Sequence, residues 1–169
     1  LGLGENYQQG ASCILRIELG GHNPGTQYDQ LVVGGNASLA GTLELPLING
    51  FVPQPGDQFE ILTCSSQTGG FSRINALALS GAVWVAHYSG TNISVVLANQ
   101  VKIAQAVLSG GMLSLSFNTT AGLTYVVQAS DSIRPSNWQT LTNIAGDGGT
   151  KMFSDPATKP QRFYRILIQ

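Results

Sequence analysis

Short apolar alternations broken by turn residues run through almost the whole chain, and they restrict it to β-structure. In "CILRIEL", Cys13, Leu15, Ile17 and Leu19 fall on one side of an extended strand, with Arg16 and Glu18 on the other. Leu43, Leu45 and Leu47 repeat the pattern against Thr42 and Glu44, and Phe59 and Ile61 repeat it against Gln58 and Glu60. "AVWVAHYS" and "NISVVLA" follow, divided by Gly90, Thr91 and Asn92. A side-chain period of two over runs bounded by Gly, Pro and Asn is the pattern of a half-buried strand. No stretch carries a helical stripe with caps. "RINALALSGA" comes closest, and its glycine and alternating leucines oppose a helix. The chain is expected to be all-β.

Charge narrows the partners. Only 10% of residues are charged, against roughly 25% in ordinary soluble domains. The surface must therefore be polar through Ser, Thr, Asn and Gln. Such a surface has little repulsion between copies, so self-association is expected. A net charge of −1 without a basic stripe argues against nucleic acid and anionic membranes as partners. No apolar run reaches the roughly 18 residues of a membrane helix, so no membrane insertion of that kind is expected. The opening "LGLGENYQQG" has neither methionine nor a charged-then-apolar leader, which reads as a processed form or an excised piece.

The character of the chain changes near Asn99. Before it lie short strands with glycine turns. After it, "VKIAQAVLSGGMLSLSFNTTAGLTYVVQAS" opens a second set with its own aromatic core residues: Phe117, Tyr125, Trp138, Phe153, Phe163 and Tyr164. Two domains, 1–99 and 100–169, are expected.

Residues 5–71 match a dense pattern: Asn-Tyr-x-Gln, an "LxIxLGG"-type strand, "YDQLVVGGNASLAGTLELPLINGF", "PxxGDxFxIL" and a closing Gly-x-Phe. This resembles the C-terminal part of bacterial autotransporter-type β-strand repeat proteins, which are exported to the surface or secreted. The resemblance implies a parallel β-solenoid or its capping end, with a β-sandwich as the other arrangement for the first domain. The remainder, with "LSLSF", "TYVVQAS", Trp138, the Gly146–Gly149 turn and "RFYRI", resembles a small immunoglobulin or fibronectin-III-like β-sandwich. An extracellular or cell-surface location follows from the same resemblance. Oxidising compartments permit disulfides, so a Cys13–Cys64 bridge is expected, although two buried thiols fit the residues equally well.

Little else looks like chemistry. His22 or His87 with Asp29 and a serine would be needed for hydrolysis, and no Gly-x-Ser-x-Gly or HExxH motif accompanies them. Asn23, Asp29 and Asn36, or Asp147 and Asp155, lack the density of a calcium loop. Asp29 instead reads as a turn-fixing acceptor of backbone N–H groups beside the Asn23-Pro24-Gly25 turn. No enzyme activity, metal or cofactor is expected. Trp84 and Tyr88 share one strand face and could stack on sugar rings, as could Trp138; the preferred reading is that Trp84 and Tyr88 fill the core or cap an open end of the first domain, and the other reading of Trp138 is a core residue of the sandwich. The function expected is a non-enzymatic structural or adhesion protein that self-assembles, as an oligomer or filament. Its Leu1, Leu3 and Tyr7 would dock on a neighbour, with free β edges adding to the contact. The alternative is a carbohydrate-binding module that takes surface glycans.

Overall fold

The computed structural model describes residues Leu1–Gln169, contains no helix, and divides into two compact units, Leu1–Ala98 and Asn99–Gln169.

The first unit winds through three successive coils, each with three short strands. The first coil holds β1 (Gly2–Leu3), β2 (Tyr7–Gln8) and β3 (Ile14–Arg16). The second holds β4 (Leu31–Val33), β5 (Asn36–Leu39) and β6 (Thr42–Leu45), and the third β7 (Gln58–Thr63), β8 (Ser66–Gly69) and β9 (Arg73–Ala76). Each strand pairs in parallel with its counterpart one coil away: Gly2 with Val32, Tyr7 with Ala37, Leu15 with Leu43, Asn36 with Ser66 and Leu43 with Ile74. The alternating residues of the sequence thus form columns. Val33, Ala37, Leu39, Leu43 and Leu45 point inward from all three sides of the second coil and are buried. Each such side chain contributes roughly 1.5–3 kcal/mol when fully removed from water.

A hairpin covers one side of the third coil, at β7, while β8 and β9 end their sheets. β11 (Asn92–Asn99) pairs antiparallel with β7, and β10 (Ala82–Tyr88) lies beside β11. Trp84, Ala86 and Tyr88 pack against the core, and the Phe71 N–H donates to the Tyr88 hydroxyl oxygen at 2.9 Å. Phe59, fully buried, sits among Tyr28 at 5.3 Å, His22 at 5.7 Å, Phe51 at 6.0 Å and Trp84 at 6.1 Å between ring centroids.

The second unit has two three-stranded antiparallel sheets. One contains β12 (Ile103–Ser109), β13 (Met112–Asn118) and β16 (Thr150–Pro156), and the other β15 (Gln139–Ala145), β14 (Thr124–Ser130) and β17 (Phe163–Ile168). Their inner faces meet at Phe117 and Tyr125, 5.8 Å apart. The buried Tyr125 hydroxyl accepts from the Thr120 N–H at 2.6 Å. Of the six aromatic residues expected in this core, Phe117 and Tyr125 are buried, while Trp138, Phe153, Phe163 and Tyr164 are only half-buried. Sheets of three strands are too narrow to cover every inward side chain.

Parallel coils crowd the corners between strands. Gly41 has a φ of 70°, and a Cβ there would strike the carbonyls of Cys13 and Gly10. Gly25 has nearly the same φ, 73°, but faces open space. Both would suffer left-handed strain from a side chain, about 1 kcal/mol, yet only Gly41 adds a backbone collision. Gly41→Ala is expected to destabilise by about 2–4 kcal/mol and Gly25→Ala by about 1 kcal/mol in urea unfolding. Equal losses would refute close coil contact at this corner.

Candidate functional site

The two ends of the coil stack differ, and the first coil carries the surface of most interest. In its register Ile14 lies opposite Thr42 and Arg16 opposite Glu44. The Thr42 N–H donates to the Cys13 carbonyl at 3.0 Å and the Ile17 N–H to the Glu44 carbonyl at 2.9 Å. Backbone groups of successive strand residues point to alternate sides, so Cys13, Leu15 and Ile17 serve the second coil while those of Ile14 and Arg16 face away from it. The same logic applies to β1, where the Leu1 and Leu3 carbonyls accept from Val32 and Gly34 at 2.8 and 2.7 Å, leaving Gly2. On β2 the Gln9 N–H donates to the Ser38 carbonyl at 2.9 Å, leaving Gln8. Gly2, Gln8, Ile14 and Arg16 therefore line an unpaired edge on all three sides.

Side-chain burial follows. Leu3, Tyr7 and Leu15 point into the stack but are only half-buried. Their counterparts one coil on, Val33, Ala37 and Leu43, are 4%, 1% and 0% exposed. A missing layer accounts for the difference. Gln9 secures the corner beside Tyr7: it is buried, its Nε2 donates to the Ala40 carbonyl at 2.7 Å and the Thr42 carbonyl at 3.2 Å, and its Oε1 accepts from the Tyr7 hydroxyl at 2.9 Å. Burial raises the Tyr7 phenol above its ordinary pKa. At the next corner Asn6 Oδ1 accepts from the Asn36 N–H at 2.7 Å, and Asn36 Oδ1 accepts from the Ser66 hydroxyl at 2.8 Å. Sequence reasoning missed both Gln9 and this ladder. The ladder's only trace was the recurrence of Gly-x-Asn at Gly4–Asn6 and Gly34–Asn36.

Several expected site residues sit elsewhere or act differently. The first nine residues do not form an arm free to dock on a neighbour, because β1 and β2 are already paired within the chain. Cys13 does not share the inner face; it is exposed at the corner just before β3. The expected Cys13–Cys64 disulfide is absent, and both thiols are free. Cys64 follows β7 in the third coil, with the second coil interposed. Two strand spacings of about 4.8 Å exceed the roughly 7 Å Cα reach of a disulfide. Burial pushes the Cys64 thiol pKa up. Asp29 does hold a turn: its Oδ2 accepts from the Glu18 N–H at 2.9 Å, while the Asp29 N–H donates to the Glu18 carbonyl at 3.0 Å.

Trp84 and Tyr88 lean onto the core of the first unit and are half-buried there. Trp138 is half-buried, with the Arg165 guanidinium 4.4 Å above its ring. His22 approaches Asp57 at 3.9 Å and stacks on Phe59, and His87 points outward on β10. No group of three or more His, Cys, Asp or Glu converges. Asp147 takes the Lys151 ammonium at 2.6 Å and the Gly149 N–H at 3.0 Å, which lower its pKa. In the second unit a polar cleft of about 360 Å³ lies beside Ser130, Asp131, Asn137, Lys159 and Arg162. Lys159 is 3.5 Å from Asp131, and Arg162 is 3.4 Å from Asp155, so each cation already has a carboxylate. Comparison with family models, curated proteins and solved structures finds no match for this chain.

The Asp155 carboxylate also joins the two sheets of the second unit, accepting from the Tyr164 hydroxyl at 2.7 Å. Burial and then this hydrogen bond push the Tyr164 pKa up from 10.0 to about 12. Because the folded value lies above the unfolded one, the contribution is complete below pH 10 and is lost as pH rises through about 12. In Asp155→Ala the phenol should ionise at lower pH and stability at neutral pH should fall by about 1–3 kcal/mol. Tyrosinate absorbance during alkaline titration and urea unfolding read the two effects. A Tyr164 titration indifferent to the substitution would contradict the contact.

Proposed function

We propose that the chain is a non-enzymatic structural or adhesion element of the extracellular surface that works through its free β edges. The first unit reads best as the capped end of a parallel β-solenoid, and the second as a small fibronectin-III-like sandwich. The observation that carries this reading is the contrast between half-buried Leu3, Tyr7 and Leu15 and their buried counterparts in the second coil. An unpaired edge ringed around apolar side chains is a surface for adding β-structure, since a new layer both satisfies backbone groups and completes the core. The resemblance to exported β-strand repeat proteins supports the extracellular location and the structural role. The inward packing of Trp84 and Tyr88 weighs against the carbohydrate-binding alternative.

Self-association is the direct consequence for a chain with this edge and so few charges. Light scattering across a concentration series should show reversible association, little changed between low and high salt, because backbone bonds and apolar contacts are not screened as ion pairs are. A strict monomer at every concentration that bound a glycan array would favour the carbohydrate-binding reading instead.

A further inference from the structure

We propose that the open face of the first coil pairs with the same face of a second copy about a twofold axis through Leu15, closing a dimer. This rests on the reading of that face as a surface for β addition, and it adds the partner, the stoichiometry and the register.

The free groups are arranged symmetrically. β3 offers two outward residues, Ile14 and Arg16, on either side of Leu15, while β1 and β2 offer one each, Gly2 and Gln8. A twofold axis at Leu15 places β3 antiparallel to its copy, so that Ile14 of each chain exchanges both backbone hydrogen bonds with Arg16 of the other. The same operation sets Gly2 opposite Gln8 on the two remaining sides. Few other surfaces could match three short edges around one apolar centre, whereas the identical end of another copy matches by symmetry.

Chemistry favours the same arrangement. Leu3, Tyr7 and Leu15 of the two copies would face one another and lose their remaining exposure. Arg16 is the only charged residue in the three strands, and it already lies 3.3 Å from Glu18 and 3.6 Å from Glu44, so no bare like charges are opposed. Gly2 and Gly4 have nothing within 4 Å of a would-be Cβ, which leaves room for a close backbone. The chain itself shows that a coil edge accepts an antiparallel strand, since β11 pairs in that sense with β7. β11 covers the outer edge of β7, whereas β8 and β9 end their sheets; twofold pairing at the first coil uses that face of both copies, so pairing there stops at two.

The test uses the whole chain and Ile14→Pro. The Ile14 N–H faces the open edge, and its side chain is 62% exposed, so proline removes an intermolecular donor without breaking a bond to the second coil. Sedimentation equilibrium should give twice the chain mass for the natural protein. I14P should weaken the dimer by about tenfold or more, from two symmetry-related bonds lost, with an unchanged far-ultraviolet spectrum. In the dimer the amides of Gly2, Gln8, Ile14 and Arg16 should be protected from hydrogen exchange and should lose protection on dilution. If I14P proves misfolded, this exchange pattern in the natural chain decides alone. A monomer at all concentrations overturns the proposal and, with it, the self-association read from the free edges. Open-ended polymers overturn only the twofold closure. A dimer that I14P leaves intact, with these amides unprotected, moves the interface to another edge and also overturns it.

Discussion

Parallel stacking of one coil on the next is the contact from which the rest of the first unit follows. It satisfies backbone groups on three sides at once and lines up the inward residues in columns, so that a column position is buried from both sides when a coil, or another strand in its place, lies both above and below it. Leu43, between Leu15 and Ile74, has both neighbours and is fully buried. Leu15 lacks one and is not. The corner features serve the same contact: Gly41 lets one coil approach the carbonyls of another, and the buried Gln9 amide answers carbonyls that the corner would otherwise leave unpaired.

The two ends of the coil stack are covered differently. At the third coil an antiparallel hairpin covers β7 and brings three side chains onto the core, with the Tyr88 hydroxyl fixed by a backbone N–H, while β8 and β9 stay at the ends of their sheets. The first coil is covered only beyond β3, where Glu18 and Leu19 pair with Asp29 and Tyr28. Its protection lies in very short strands, a common restraint on edge pairing. Low charge removes another restraint. The balance leaves a small edge with a well-defined pattern of donors and acceptors, suited to a specific partner more than to indiscriminate aggregation.

Strand type was legible because period-two alternation reports which residues face a core, and it did so for Ile17, Leu19, Leu43, Leu45, Phe59 and Ile61. It failed at Cys13, where the chain turns a corner and alternation no longer maps to inside and outside. Which strands pair was not legible from alternation, since a strand's pattern is the same whether its partner lies across a hairpin or thirty residues away, as Tyr7 and Ala37 do. Asp29 was readable as a turn-fixing acceptor because its chemistry is local. The open edge was not readable. Whether Leu1, Leu3 and Tyr7 form a free arm or the outermost layer depends on a register set by residues 31–45, and no local signal carries that.

Unfolding of Leu15→Ala and Leu43→Ala, compared at concentrations too low for association, tests the stacking account most directly. The two leucines share a column and differ in having one coil neighbour or two. Leu43→Ala should cost about 3–5 kcal/mol and Leu15→Ala clearly less, about 1–2 kcal/mol. Equal losses would mean that the first coil is as enclosed as the second, and the open face would have to be abandoned.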